Sequence, residues 1–186
     1  MKPSDIYVNT GTWTVFIRYK GVWDWDDLYK TMADWFRDRK YYFHEVFNKH
    51  KRLSPFGAEE QYRWTAERRE EDYVSYNIAV YAHTYDAHDF VVTLPGGKKK
   101  TLTKGRIWFE FSGWVTYDYE KNFEKSAFYA QLRNFYHKYV VKKKMEAIWW
   151  DQLYYREMHK LHQLIKERLK MESRDYEHRY WTGVHR

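Results

Sequence analysis

Between Thr101 and Tyr119 the chain alternates with a period of two. Ile107, Phe109, Phe111, Val115 and Tyr117 fall on one parity, and Trp108, Glu110, Ser112, Trp114 and Thr116 on the other. That period belongs to a β-strand, and about 14 paired residues at ~3.3 Å each make it near 45 Å long, well beyond the usual length. In front of it, Pro95-Gly-Gly-Lys98 supplies a tight hairpin turn back to a short strand over 90–94. Gly105 and Gly113 are expected to be bulges that bend the long strand. Both parities carry large rings, so a single helical layer cannot bury them all. Either helices cover both faces of the sheet, or one face meets a second subunit, a ligand, the chain's own tail or water.

The remaining patterns supply partners for that strand. A strand is expected over 12–20, where Trp13, Val15, Ile17 and Tyr19 alternate with Thr14, Phe16 and Arg18. Asp24 is a good N-cap for a helix over 24–39, with Asp27 in its first turn and Trp25, Leu28, Met32, Trp35 and Phe36 at helical spacing. Strands are read over 41–50 and 73–85. Residues 59–71 fit a strand through Tyr62, Trp64 and Ala66, and their Glu/Arg richness also suits a short helix. Two helices follow. The first, over 124–141, is expected to bury Phe128, Leu132, Phe135, Tyr136 and Tyr139. The second, over 145–171, carries Trp150, Tyr154, Met158, Leu161, Ile165 and Leu169 on one stripe. At 1.5 Å per residue it is about 40 Å long, long enough to project as an arm. The sum is an α+β fold: a curved antiparallel sheet of long strands, one helix after the first strand and two C-terminal helices packed on the sheet.

With 186 residues, three prolines and no repeat, the chain reads as a single domain over 1–173. Beyond it, 174–186 form an aromatic and basic tail, expected to dock on the domain or on a neighbouring subunit. There is no cysteine, which excludes a disulfide scaffold, a zinc ribbon, an Fe–S cluster and a thiol nucleophile together. No apolar run approaches the ~20 residues that span a bilayer, and Met1-Lys-Pro-Ser-Asp lacks the apolar core of a signal peptide. The expected setting is the cytoplasm or an intracellularly assembled particle, without membrane insertion.

Ten Trp, 19 Tyr and 11 Phe stand against 27 Leu, Ile and Val, a ratio that suits half-buried and shared surfaces. The favoured function is a non-enzymatic structural protein that assembles with copies of itself. Trp108 and Trp114 on the sheet, with Tyr176, Tyr180 and Trp181 in the tail, are its interface residues. The alternative rests on charge. The net charge is +7, and 95–144 alone carry +8. Lys98, Lys99, Lys100, Lys104 and Arg106 on the hairpin, with Lys142, Lys143 and Lys144 between the helices, would then bind nucleic-acid phosphates while nearby rings stack on bases. The competing explanation is that hairpin lysines keep strand edges from pairing with other chains. A carbohydrate-binding module with Trp or Tyr platforms is a weaker third reading.

Catalysis and cofactors find little support. No phosphate-binding glycine loop, zinc-protease helix or nucleophile elbow occurs. His159 and His162 lie one helical turn apart, but no further ligands accompany them. His83, Asp86, His88 and Asp89 cluster between strands and read as solvated groups. Asp24-Trp-Asp-Asp27 is explained by capping. No catalytic residue, metal site or cofactor is assigned.

Overall fold

The computed structural model describes residues 13–54, 57–70 and 73–171; the tail expected at 174–186, with Tyr176, Tyr180 and Trp181, lies outside the described residues. Its elements are β1 (Trp13–Trp23), α1 (Trp25–Asp38), β2 (Tyr42–Ser54), β3 (Gly57–Glu70), β4 (Val74–Thr93) and β5 (Lys99–Tyr117). A 3-10 turn (Asn122–Lys125), α2 (Ala127–Tyr139), α3 (Lys142–Ala147), a π-helical segment (Ile148–Met158) and α4 (His159–Arg168) complete it. The five strands form one open antiparallel sheet in the order β1-β5-β4-β3-β2. This is the α+β class that the patterns predict. The ambiguous stretch from 59 is strand as far as Glu70, and the two strands read over 73–85 and 90–94 are one 20-residue strand, Val74–Thr93.

Alternation sorts the sheet into two faces. The inner face presents Ile17, Tyr62, Trp64, Ile78, Val80, Phe109, Phe111 and Val115, all buried. α1 packs there through Leu28, Met32, Trp35 and Phe36, with Phe36 stacked on Phe43 and Tyr29 against Trp64. α4 shares the same side. Leu161, His162 and Ile165 are buried, and His162 Nε2 lies 3.4 Å from the Phe16 carbonyl oxygen. Helices therefore cover one face only, and among the described residues no helix covers the other. The C-terminal helical run lies across the sheet rather than projecting as an arm. It is held by Glu157, which lies 3.0 Å from Arg68 on β3 and 3.1 Å from Arg39 after α1.

Three local readings change. The run expected as one helix over 145–171 contains a π-helical stretch, whose i→i+5 bonding widens the turn and moves the buried stripe. Leu153, Glu157 and Met158 face the sheet, while Trp150 and Tyr154 stack on each other at 4.9 Å and remain half-buried. The bulge near Gly105 lies on β4, between Tyr85 and His88, while β5 keeps unbroken register with β1. A Cβ on Gly105 would come 2.8 Å from the Tyr85 carbonyl oxygen, so the glycine makes room for its neighbour's bulge. Gly113 is not a bulge either. A Cβ there would overlap the Met158 sulfur, so the position exists for close approach of the π-helical segment.

Candidate interaction surfaces

α2 is attached to the body by polar side chains. Asp118, 2% exposed, accepts hydrogen bonds from the backbone N–H of Asn122 at 2.9 Å and of Phe123 at 3.3 Å, fixing the chain that leaves β5. Its second oxygen also receives Arg133 Nη1 at 3.0 Å, and Arg133 is itself 4% exposed. One turn on, buried His137 hydrogen-bonds the Tyr73 hydroxyl. Arg133 and His137 are i and i+4, so they define the inward face of α2.

The outward face is consequently apolar. Phe128, Tyr129, Leu132, Phe135, Tyr136, Tyr139 and Val140 are 47–68% exposed. The expectation that α2 buries Phe128, Leu132, Phe135, Tyr136 and Tyr139 is reversed. Helical spacing reveals a stripe but not its direction, and the buried Asp118–Arg133 pair sets that direction here. Such pairs need excellent geometry because desolvating two charges costs several kcal/mol, and the two backbone donors to Asp118 help to supply it.

The second surface is the uncovered sheet face. Phe16 on β1 stacks on Trp108 of β5 at 5.9 Å, and Trp108 meets Tyr81 of β4 edge-on at 6.2 Å. Arg63 of β3 lies over both Tyr81 and Phe47 of β2, at 5.9 and 5.6 Å. The result is a ring-and-guanidinium band crossing all five strands. Trp108 is central to it, with Arg18 over its ring at 5.9 Å and, among the described residues, no partner for its buried indole N–H. Trp114 shares this face but lies six residues further along β5, about 20 Å away, and no ring contact among the described residues joins it to the band. The two tryptophans predicted together thus occupy separate places.

The basic residues also divide. Lys98 and Lys99 sit at the hairpin tip, while Lys100 is tied to Asp24 at 2.6 Å. Lys104 and Arg106 enter a surface groove beside the β4 bulge, where Arg106 pairs with Asp86 at 2.6 Å. Arg18, Lys20, Tyr85 and Trp108 line the adjoining stretch of groove. Sequence reasoning missed Arg18 and Lys20. Their outward parity on β1 was legible, but their neighbours required the pairing Arg18↔Trp108 and Lys20↔Arg106. Lys142, Lys143 and Lys144 belong to α3, near the Tyr117 end of β5, where the Tyr117 hydroxyl donates to the Met145 carbonyl at 3.0 Å. The hairpin is at the other end of that 19-residue strand, so the eight basic residues do not form one patch.

The histidines fall into ordinary protein contacts. His83 is 2.7 Å from Glu59 with its ring tilted against Tyr85 at 3.9 Å, and His162 is on the buried side of α4. Among the described residues no group of three His, Asp or Glu side chains is placed to hold a metal ion. No helix among them is long and apolar enough to cross a membrane. No protein-family model matches this chain, and no curated protein is similar to it.

Proposed function

We propose that this is a non-enzymatic structural protein that assembles with copies of itself, and that the apolar face of α2 is the contact with a second copy. The observation that carries this reading is the inversion of α2: Arg133 and His137 point inward and its rings point outward. Seven exposed apolar side chains, at ~150–250 Å² for each aromatic one, offer about 700 Å². That is close to the ~800 Å² per partner of a stable interface. The seven side chains are apolar, with one exposed cation, Lys138, beside them at 5.0 Å from the Tyr139 ring, so another apolar face is the natural complement, and two copies related by a two-fold axis bring the same face together. The band around Trp108 is a second, chemically different surface through which dimers extend into larger assemblies. An intracellular setting belongs to the same reading, since the chain has no cysteine that an oxidising compartment would pair.

Light scattering on a size-exclusion peak tests this. The wild type is expected at twice 23.3 kDa or a larger multiple, and Phe135→Glu with Tyr139→Glu at 23.3 kDa with unchanged unfolding. A monomeric wild type at tens of micromolar overturns it. The nucleic-acid reading keeps one supporting observation, the groove of Arg18, Lys20, Lys104 and Arg106 beside Tyr85 and Trp108. A monomer peak carrying nucleic-acid absorbance that is lost in high salt would favour it over self-assembly.

A further inference from the structure

On the helix-covered side, where the end of β1 meets the start of α1, a cleft of about 320 Å³ opens against β3, β4 and β5. Its chemistry is unlike the rest of this basic protein. The walls include three rings, Trp23, Trp25 and Tyr62, and every lining residue with a charge is acidic: Asp26, Glu60 and Asp89. Two of these rings touch, Trp25 lying 4.6 Å from Tyr62, and Tyr62 is itself stacked on Trp64 at 5.4 Å. Trp23 and Tyr62 are 3% and 7% exposed, whereas Asp26 and Asp89 are exposed, so the aromatic part lies deep and the carboxylates stand at the rim.

Two neighbouring acids have cations. Asp24 is paired with Lys100 and Asp27 with Arg168, at 2.6 and 3.4 Å. Among the described residues neither Asp26 nor Asp89 has an ion-pair partner; Asp89 accepts only from the neutral Thr103 hydroxyl, at 2.6 Å. The Tyr62 hydroxyl donates to Glu60 at 2.5 Å. Burial pushes that phenol's pKa up, and the Glu60 hydrogen bond and the charges of Glu60, Glu45 and Asp89 push the same way, as expected in a negative local field. Among the described residues the buried indole N–H of Trp23, on the cleft wall, has no hydrogen-bond partner.

We infer that this cleft binds an organic cation of the alkylammonium class, its methyl or methylene groups against Trp25 and Tyr62 and its charge facing Asp89 and Asp26. Aromatic faces attract such ions through the ring quadrupole and tolerate their apolar substituents, which a small hydrated metal ion lacks. The carboxylates at the rim supply long-range attraction in a protein whose overall charge would repel a cation. This inference is independent of self-assembly, because α2 takes no part in the cleft.

Choline and its uncharged carbon isostere, 3,3-dimethyl-1-butanol, provide the test on the full chain, read by tryptophan fluorescence and by calorimetry at constant ionic strength. Choline is expected to saturate, and the isostere to bind on the order of tenfold more weakly. Asp89→Asn, an exposed change that leaves the core untouched, is expected to lower choline affinity by a similar factor. Equal binding of choline and the isostere, a response that sodium chloride reproduces, or no saturation with choline would each overturn the assignment. The wild-type comparison decides the matter even if a variant folds poorly.

Discussion

Asp24 joins sequence to fold through one carboxylate. It accepts the backbone N–H of Asp27 at 3.2 Å as the N-cap of α1, and it holds Lys100 from the far hairpin. Partial burial opposes its ionisation. The hydrogen bond and charge of Lys100, with the N–H groups of Asp27 and Asp26, prevail and keep it below the ordinary 3.8. Its contribution is therefore complete above about pH 5 and is lost as the pH falls below 3.8 towards the folded value. Asp24→Ala is expected to cost about 1 kcal/mol in urea unfolding at neutral pH, and Asp24→Asn much less, because asparagine still caps. The cap was legible because it needs only three following residues. The Lys100 contact was not, nor was the union of Asp118 with Arg133, since each joins side chains whose meeting depends on the completed fold.

Elements show the same division. The parity of β5 was legible to the residue, because a half-buried strand writes its two faces into alternate positions. α2 was located correctly and oriented backwards: helical periodicity reports a stripe, and a polar anchor can invert which stripe is buried. The π-helical segment could not be read at all, since no residue type marks an i→i+5 turn. Gly113 belongs with it. Glycine in a strand interior usually weakens the strand, so alanine here would ordinarily stabilise. Its Cβ would instead overlap the sulfur of fully buried Met158, and Gly113→Ala is expected to destabilise by about 1–3 kcal/mol. Met158→Ala alone opens a cavity, costing about 2–5 kcal/mol. If contact at this point governs both effects, the double variant in urea unfolds at less than the summed cost. Strict additivity would place the role of the glycine elsewhere.

At the scale of the molecule, the aromatic surplus separates into a core share and a surface share. The core share includes phenols that resist ionisation. Burial first, then the charge of Asp118 beside Tyr73 and of Glu70 beside Tyr76, pushes both hydroxyls up to about 12. Tyr41, Tyr62 and Tyr117 shift in the same direction, burial leading in each. A raised phenol favours the fold fully below pH 10 and ceases to do so as the pH climbs towards 12. Alkaline titration followed by near-ultraviolet phenolate absorbance is expected to show an early class of surface tyrosines and a late class that appears together with loss of helical dichroism. A single class titrating near 10 with the fold intact would contradict this burial. The surface share, on α2 and around Trp108, was anticipated from composition alone. Composition did not say where it would lie, because that depends on which side of the sheet the helices take.

The strand order also sets a timetable. Among the described residues β1 has one sheet partner, β5, and Trp13 pairs with Gly113. A ribosome adding ~5–20 residues per second leaves β1 waiting roughly 5–20 s for its partner. Meanwhile β2, β3 and β4 can already zip up as successive hairpins in the order they emerge. The first strand made is thus among the last to be seated. Until then Ile17 and Tyr19 on β1 are surfaces a nascent-chain chaperone would meet.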